Sequence, residues 1–159
     1  MPLSASLDLP ACRPEPASEA PAWAGPNPVG RLAEALALHL GWTAPEARVL
    51  RAATEPRPTD PAAATLAAEF ARHQHERWDG NGRPLGLRDT QIPPACRLLA
   101  VVTCFHTLTR PRPFRPARAE DCALAMLAEQ AGQAFDPALV AAFLHHAPGL
   151  LDRWGHDVD

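Results

Sequence analysis

From about residue 29 onward the apolar positions of the chain recur at intervals of three and four, the spacing of one face of an α-helix. In "VGRLAEALALHLG" Leu32, Leu36 and Leu40 form one stripe, and Gly41 closes it, because glycine tolerates the left-handed cap that ends many helices. "TAPEARVLRAA" opens with Thr43 and Glu46 at capping-box spacing and Pro45 in the first turn. "EPRPTD" is a break of prolines and turn formers. Asp60 and Pro61 then read as N-cap and first residue of a helix predicted to run through about Glu76, with Leu66, Phe70, His73 and Gln74 on one side. Pro93 and Pro94 open "ACRLLAVVTCFHTLT", which is apolar nearly all round and is predicted to be the central buried helix. "EDCALAMLAEQAG" is amphipathic and stops at Gly132. "FDPALVAAFLHHAPG" starts with Asp136 as N-cap and Pro137 at the first helical position. No stretch alternates with the period of a strand. The predicted fold class is all-α.

The length, 159 residues, suits one domain with a modest core. Residues 1–28 are rich in Pro and Ala, with few large apolar side chains to offset the entropy of ordering. They are read as a disordered tail, and 29–159 as the helical domain. The tail has no basic region ahead of an apolar stretch, so it does not read as a secretory signal, and no segment matches a membrane span. The net charge is −3 and every basic side chain is Arg, which gives no push toward nucleic acid. The cysteines, Cys12, Cys96, Cys104 and Cys122, form no CxxC pair. They read as free thiols in a reducing cytoplasm, which sets the expected location.

Candidate chemistry concentrates in "HQHERWDGNGRP", residues 73–84. His73, His75, Glu76 and Asp79 crowd together, and the chain then turns on Gly80, Gly82 and Pro84, with both glycines expected to supply tight left-handed turns. The pattern has the outline of a metal site followed by a substrate loop. His73 and Glu76, three apart, are expected to share a helical face. His145 and His146 fall near a helix C-terminus, where positive charge is favoured, and read as capping or surface residues.

The order of motifs from about residue 61 to 145, "HERWDGNGRP", "GL", "IPPACRLLAVV", "RPRPFRPA" and "GQAFDPALVAAF", resembles the HD-GYP domain. This is the subfamily of HD phosphohydrolases that opens cyclic di-GMP. "LAEALALHLGWTAPEARVLRAA" looks like the helix pair ahead of the HD motif. The resemblance implies a metal-assisted phosphodiester hydrolysis at a cluster of iron or manganese ions, in which hard cations are bridged by carboxylates.

The chain departs from that pattern at the metal positions. "TEPRPTD" stands where the HD pair belongs, and a segment of roughly two helices' length is missing between Ala53 and Asp60. Gln74 and His75 stand for a pair of histidines, and Thr103 and His106 for two aspartates. Arg83 replaces the Tyr of GYP. The expectation is therefore a truncated, degenerate HD-GYP-like bundle without catalytic residues and without a bound cofactor. His75 and His106 would be vestigial metal ligands for residual Fe, Mn or Zn, and a residual metal-dependent phosphodiesterase is the alternative reading.

By the resemblance, Arg112 and Arg115 correspond to arginines that contact the dinucleotide phosphates, and a guanidinium fork suits that role. Pairing with Glu120 and Asp121 is the other reading of them. With Arg83 they make a hypothetical cyclic di-GMP site. The loop of Asp79, Gly80, Gly82, Arg83 and Pro84 corresponds to the family's docking loop, with Trp78 expected to pack it onto the core. Expected partners are a GGDEF-domain or response-regulator protein, with no nucleic acid and no membrane. Loss of the missing segment should bare an apolar patch, to be covered by a homodimer contact or by the Pro-rich tail.

Overall fold

The computed structural model describes residues 27–110, 113 and 118–155, with only the backbone given for 152–155. The tail read at 1–28 thus lies almost entirely outside the described residues, as do Arg112 and Arg115. The described chain is six helices with no strand: α1 (Pro28–His39), α2 (Ala44–Ala53), α3 (Pro61–His73), α4 (Pro94–Thr109), α5 (Glu120–Glu129) and α6 (Pro137–Gly155). The all-α prediction stands.

The start signals at Thr43, Asp60 and Asp136 act as read, and Asn27, assigned to the tail by the sequence reading, caps α1 in addition. The Asn27 side chain accepts from the Val29 amide, and its own amide group donates to the Thr54 carbonyl, tying the start of α1 to the end of α2. The Thr43 amide donates to the Glu46 carboxylate at 2.8 Å, and the Thr43 hydroxyl accepts from the Glu46 amide. Asp60 Oδ1 accepts from Ala62 and Ala63, and Asp136 Oδ1 from Ala138 and Leu139. Each side chain satisfies amides that the first turn leaves without a carbonyl.

α4 lies at the centre. Leu98, Leu99, Val101, Val102, Phe105 and Leu108 are buried along it, and it packs on α1, α3, α5 and α6. Phe105 meets Phe143 of α6 edge-on, with ring centroids 5.2 Å apart, a favoured aromatic geometry. α6 runs past the predicted stretch. The buried residues Val140, Phe143, Ala147, Leu150 and Leu151 keep the helical spacing across Pro148. The core contacts thereby override the hydrogen bond that a mid-helix proline removes.

α3 ends earlier than predicted, at His73 with Gln74 as its cap. The expectation that His73 and Glu76 share a helical face is overturned. Glu76 instead turns inward past the helix end, with its amide on the His73 carbonyl.

The bare apolar patch is not found among the described residues. α2 packs directly on both α1 and α3, and the outer positions of α3 are Ala62, Ala64, Ala68 and Ala71, which expose little apolar area. Only Leu38 and Leu85 stand out as exposed large apolar side chains among the described residues. The patch that motivated a dimer contact or a tail cover is therefore missing there, and a homodimer has no support from it. No described helix is long and apolar enough to cross a membrane.

Candidate functional site

The motif loop is organised around one buried carboxylate. Glu76 is 7% exposed. Its Oε1 accepts from the Leu85 amide at 2.7 Å and its Oε2 from the Leu87 amide at 2.9 Å. Two amide donors satisfy a carboxylate that burial would otherwise penalise. The Arg83 amide donates to the His75 carbonyl at 3.0 Å, so the loop folds back onto the segment that precedes it. A second tether runs to the α5–α6 turn. The Trp78 amide donates to the Ala134 carbonyl and the Asp79 amide to the Gln133 carbonyl, at 3.2 and 2.9 Å.

Of the two glycines read as left-handed, only Gly80 is so, at φ +80°. Gly82 serves a different need. A Cβ there would lie 2.5 Å from the His75 oxygen, 2.6 Å from Glu76 Cα and against the Arg77 nitrogen, all backbone. Gly82→Ala is therefore expected to push the loop off residues 75–77, at a cost of about 1–3 kcal/mol. The check is thermal unfolding, in which an unchanged midpoint would mean that the backbone yields.

Asp79 is half-buried and ion-paired with Arg77, Nη2 to Oδ2 at 3.0 Å. Its hydrogen bonds to Arg77 are the main reason that its carboxyl lies below the usual aspartate range. Its Oδ1 also takes the Asn81 amide at 2.9 Å, closing the turn from the inside. Arg83, Pro84 and Leu85 are exposed at the tip, and Leu85 is 56% exposed.

Behind the loop sits a polar knot that the sequence reading passed over. Arg97 Nη1 donates to Asp136 Oδ2 at 2.7 Å, and the two side chains are 15% and 7% exposed. Arg97 Nε donates to the Ile92 carbonyl, and its guanidinium carbon lies 5.8 Å from the centre of the Trp78 ring, within cation–π range. Trp78 was expected to pack the loop onto the core; what holds its ring in the structure is the Arg97 cation. Both halves of the pair stood in quoted motifs, "ACR" and "FDP". Asp136 read only as a helix cap, since a contact across 39 positions leaves no local mark.

His73, Glu76, Cys96, Arg97 and Asp136 line a cavity of about 10 Å³ beneath the loop. That is room for one water at most. Burial, aided by the charge of Glu69, pushes the Cys96 thiol up to about 12, as for an inert buried cysteine. A roomier depression of about 370 Å³ lies elsewhere, along α2, lined by Glu34, Arg48, Arg51 and Glu55. It carries as many acids as arginines, and Arg51 is already paired with Glu34 at 3.2 Å. It is not a phosphate site of the kind that unopposed arginines make.

The metal expectation can be tested against the donors present. His75 is exposed after the end of α3, whereas His106 is 8% exposed within α4. Glu76, the nearest carboxylate to His75 in sequence, is occupied by two amides. Among the described residues no three His, Cys, Asp or Glu side chains are grouped to hold a metal ion. The donor set does not fit a carboxylate-bridged metal pair, nor a mononuclear zinc site with three protein ligands.

An HD domain model matches residues 58–139. The chain is 42% identical over 79 residues to a cyclic di-GMP phosphodiesterase of Vibrio cholerae serotype O1, covering 50% of this chain and 16% of that protein. It is 43% identical over 79 residues to the cyclic di-GMP phosphodiesterase response regulator RpfG of Xanthomonas campestris pv. campestris, covering 50% and 21%. A cyclic di-GMP phosphodiesterase of Thermotoga maritima is 32% identical over 94 residues, covering 59% and 26%. The matched stretch is thus about a sixth to a quarter of each relative's length. Among solved structures, the cyclic GMP-AMP specific phosphodiesterase V-cGAP3 of V. cholerae shares the fold, with TM-score 0.59 at 16% identity over 79% of this chain and 44% of that one. With more than half of its residues inside the matched model, and with its motifs in HD-GYP order, the chain belongs to the HD domain family as an HD-GYP-like member.

Proposed function

We propose that this chain is a non-hydrolytic HD-GYP-like module of cyclic di-GMP signalling, acting in the cytoplasm by protein contact through the loop of residues 79–88. The partner class is a GGDEF-domain or response-regulator protein. The observation that carries the reading is the division of labour in the loop. Its backbone is fixed from inside by Glu76, while Arg83, Leu85 and Arg88 face solvent. A pre-shaped loop loses little entropy on docking, so its side chains can contribute fully to affinity. Thr103 and His106 in place of aspartates support the absence of hydrolysis, because hard cations need anionic oxygen ligands.

The test is a cyclic di-GMP hydrolysis assay on protein incubated with Fe²⁺ or Mn²⁺, with GGDEF-domain binding measured by interferometry. No turnover is expected, and Arg83→Ala together with Leu85→Ala should weaken a saturable GGDEF contact at least tenfold. Turnover above the metal-only rate would overturn the reading.

Arg83 motivates a second reading. Its side chain is exposed, and its guanidinium can stack on a base or fork onto a phosphate. With Arg112 and Arg115 it would make a nucleotide sensor that binds cyclic di-GMP without cleavage. Calorimetric titration separates the two. Saturable binding lost in Arg112→Ala selects the sensor, and a flat titration of folded protein selects the contact module.

A further inference from the structure

Away from the motif loop, the C-terminal turn of α1 meets α6 through imidazoles. The rings of His39 and His146 lie with centroids 4.5 Å apart at an interplanar angle of 49°. His145 lies edge-on to His146, with centroids 4.9 Å apart. Like rings at this spacing gain little from apolar packing, since His39 and His145 are exposed.

The state of His39 is fixed by its surroundings. Its Nδ1 lies 2.7 Å from the Ala35 carbonyl. A carbonyl oxygen can only accept, so Nδ1 carries a hydrogen, and in the neutral ring Nε2 is then the nitrogen with the lone pair. This is the arrangement found for histidines that bind metals, whose other ring nitrogen donates to a backbone carbonyl or a carboxylate and fixes the tautomer. Two imidazoles on a tetrahedral zinc, at about 2.0–2.1 Å from metal to nitrogen, hold their ring centres roughly 5 Å apart. The observed centroid separation, 4.5 Å, is near that value.

We propose that His39 and His146 form a surface clip for one divalent transition cation of the imidazole-preferring class, bridging α1 and α6 with water completing the coordination. Imidazole nitrogen selects zinc, nickel or copper over magnesium or calcium. The clip involves none of the motif-loop residues and is independent of the function proposed above. Because its ligands come from separate helices, a bound ion stabilises the folded state only.

The probe is Zn²⁺ added to the full chain in a buffer that does not chelate it, read by calorimetry and by the thermal midpoint. Wild type should bind with a saturable isotherm, and its midpoint should rise. His39→Ala and His146→Ala should each lose at least tenfold in affinity and lose the midpoint rise, while His75→Ala stays within threefold of wild type. His39→Gln repeats the test with the polar contact to Ala35 retained, in case the alanine variant is unstable. A flat zinc titration, or zinc binding lost in His75→Ala but kept in His39→Ala, would overturn the clip.

Discussion

Arg97→Met lowers the stability of the domain by about 3–5 kcal/mol, the cost of leaving one member of a buried ion pair without its partner. The variant keeps a long apolar side chain in place of the guanidinium stem but strands the Asp136 carboxylate, which is 7% exposed. It also removes the donor to the Ile92 carbonyl and the cation above Trp78. The melting midpoint is expected to fall by roughly 10 °C or more for a domain of this size. Urea unfolding at neutral pH checks this. Asp136→Asn is the informative second variant, because asparagine keeps the helix cap and removes the charge. Arg97→Met combined with Asp136→Asn should then recover part of the loss, since no buried charge remains. A loss below about 1 kcal/mol for Arg97→Met would place the pair among ordinary surface contacts.

The second large effect is local. Glu76→Ala leaves the Leu85 and Leu87 amides without their acceptor. Hydrogen bonds to a charged group contribute about 1.5–3 kcal/mol each. Losing both should therefore lower the opening free energy of the loop by about 3 kcal/mol. Amide exchange at Leu85 and Leu87 is expected to accelerate about a hundredfold or more, while amides in the middle of α4 change far less. Exchange followed by NMR or mass spectrometry gives the answer. Unchanged protection at these two amides would mean that the tethers to Ala134 and Gln133 hold the loop by themselves.

These two sites also mark where sequence reasoning worked and where it stopped. Helix starts were legible because each is a local contract. Asp60 reaches only to Ala62 and Ala63, and Thr43 only to Glu46, so residue type and spacing suffice. The central place of α4 was legible because its apolar residues surround the helix. The end of α3 was not, since what pulls Glu76 out of the helix is a pair of amides nine and eleven positions later. The same distance problem hid the reason for Gly82, whose neighbours are backbone atoms of residues 75–77. His39 drew no attention in the sequence. Its meeting with His146 depends on how α1 and α6 cross, which no periodicity in either helix states.

The motif loop is anchored through its own main-chain amides, those of Trp78, Asp79, Arg83, Leu85 and Leu87, received by carbonyls and by the Glu76 carboxylate. Main-chain anchors do not read the side chains they carry. Asn81, Arg83 and Leu85 are therefore interchangeable as far as the loop's shape is concerned, and a lineage could rewrite what this surface recognises without refolding it. By its resemblance to the HD-GYP domain, the chain carries Arg83 where the family motif has tyrosine, an exchange that leaves each of these anchors untouched.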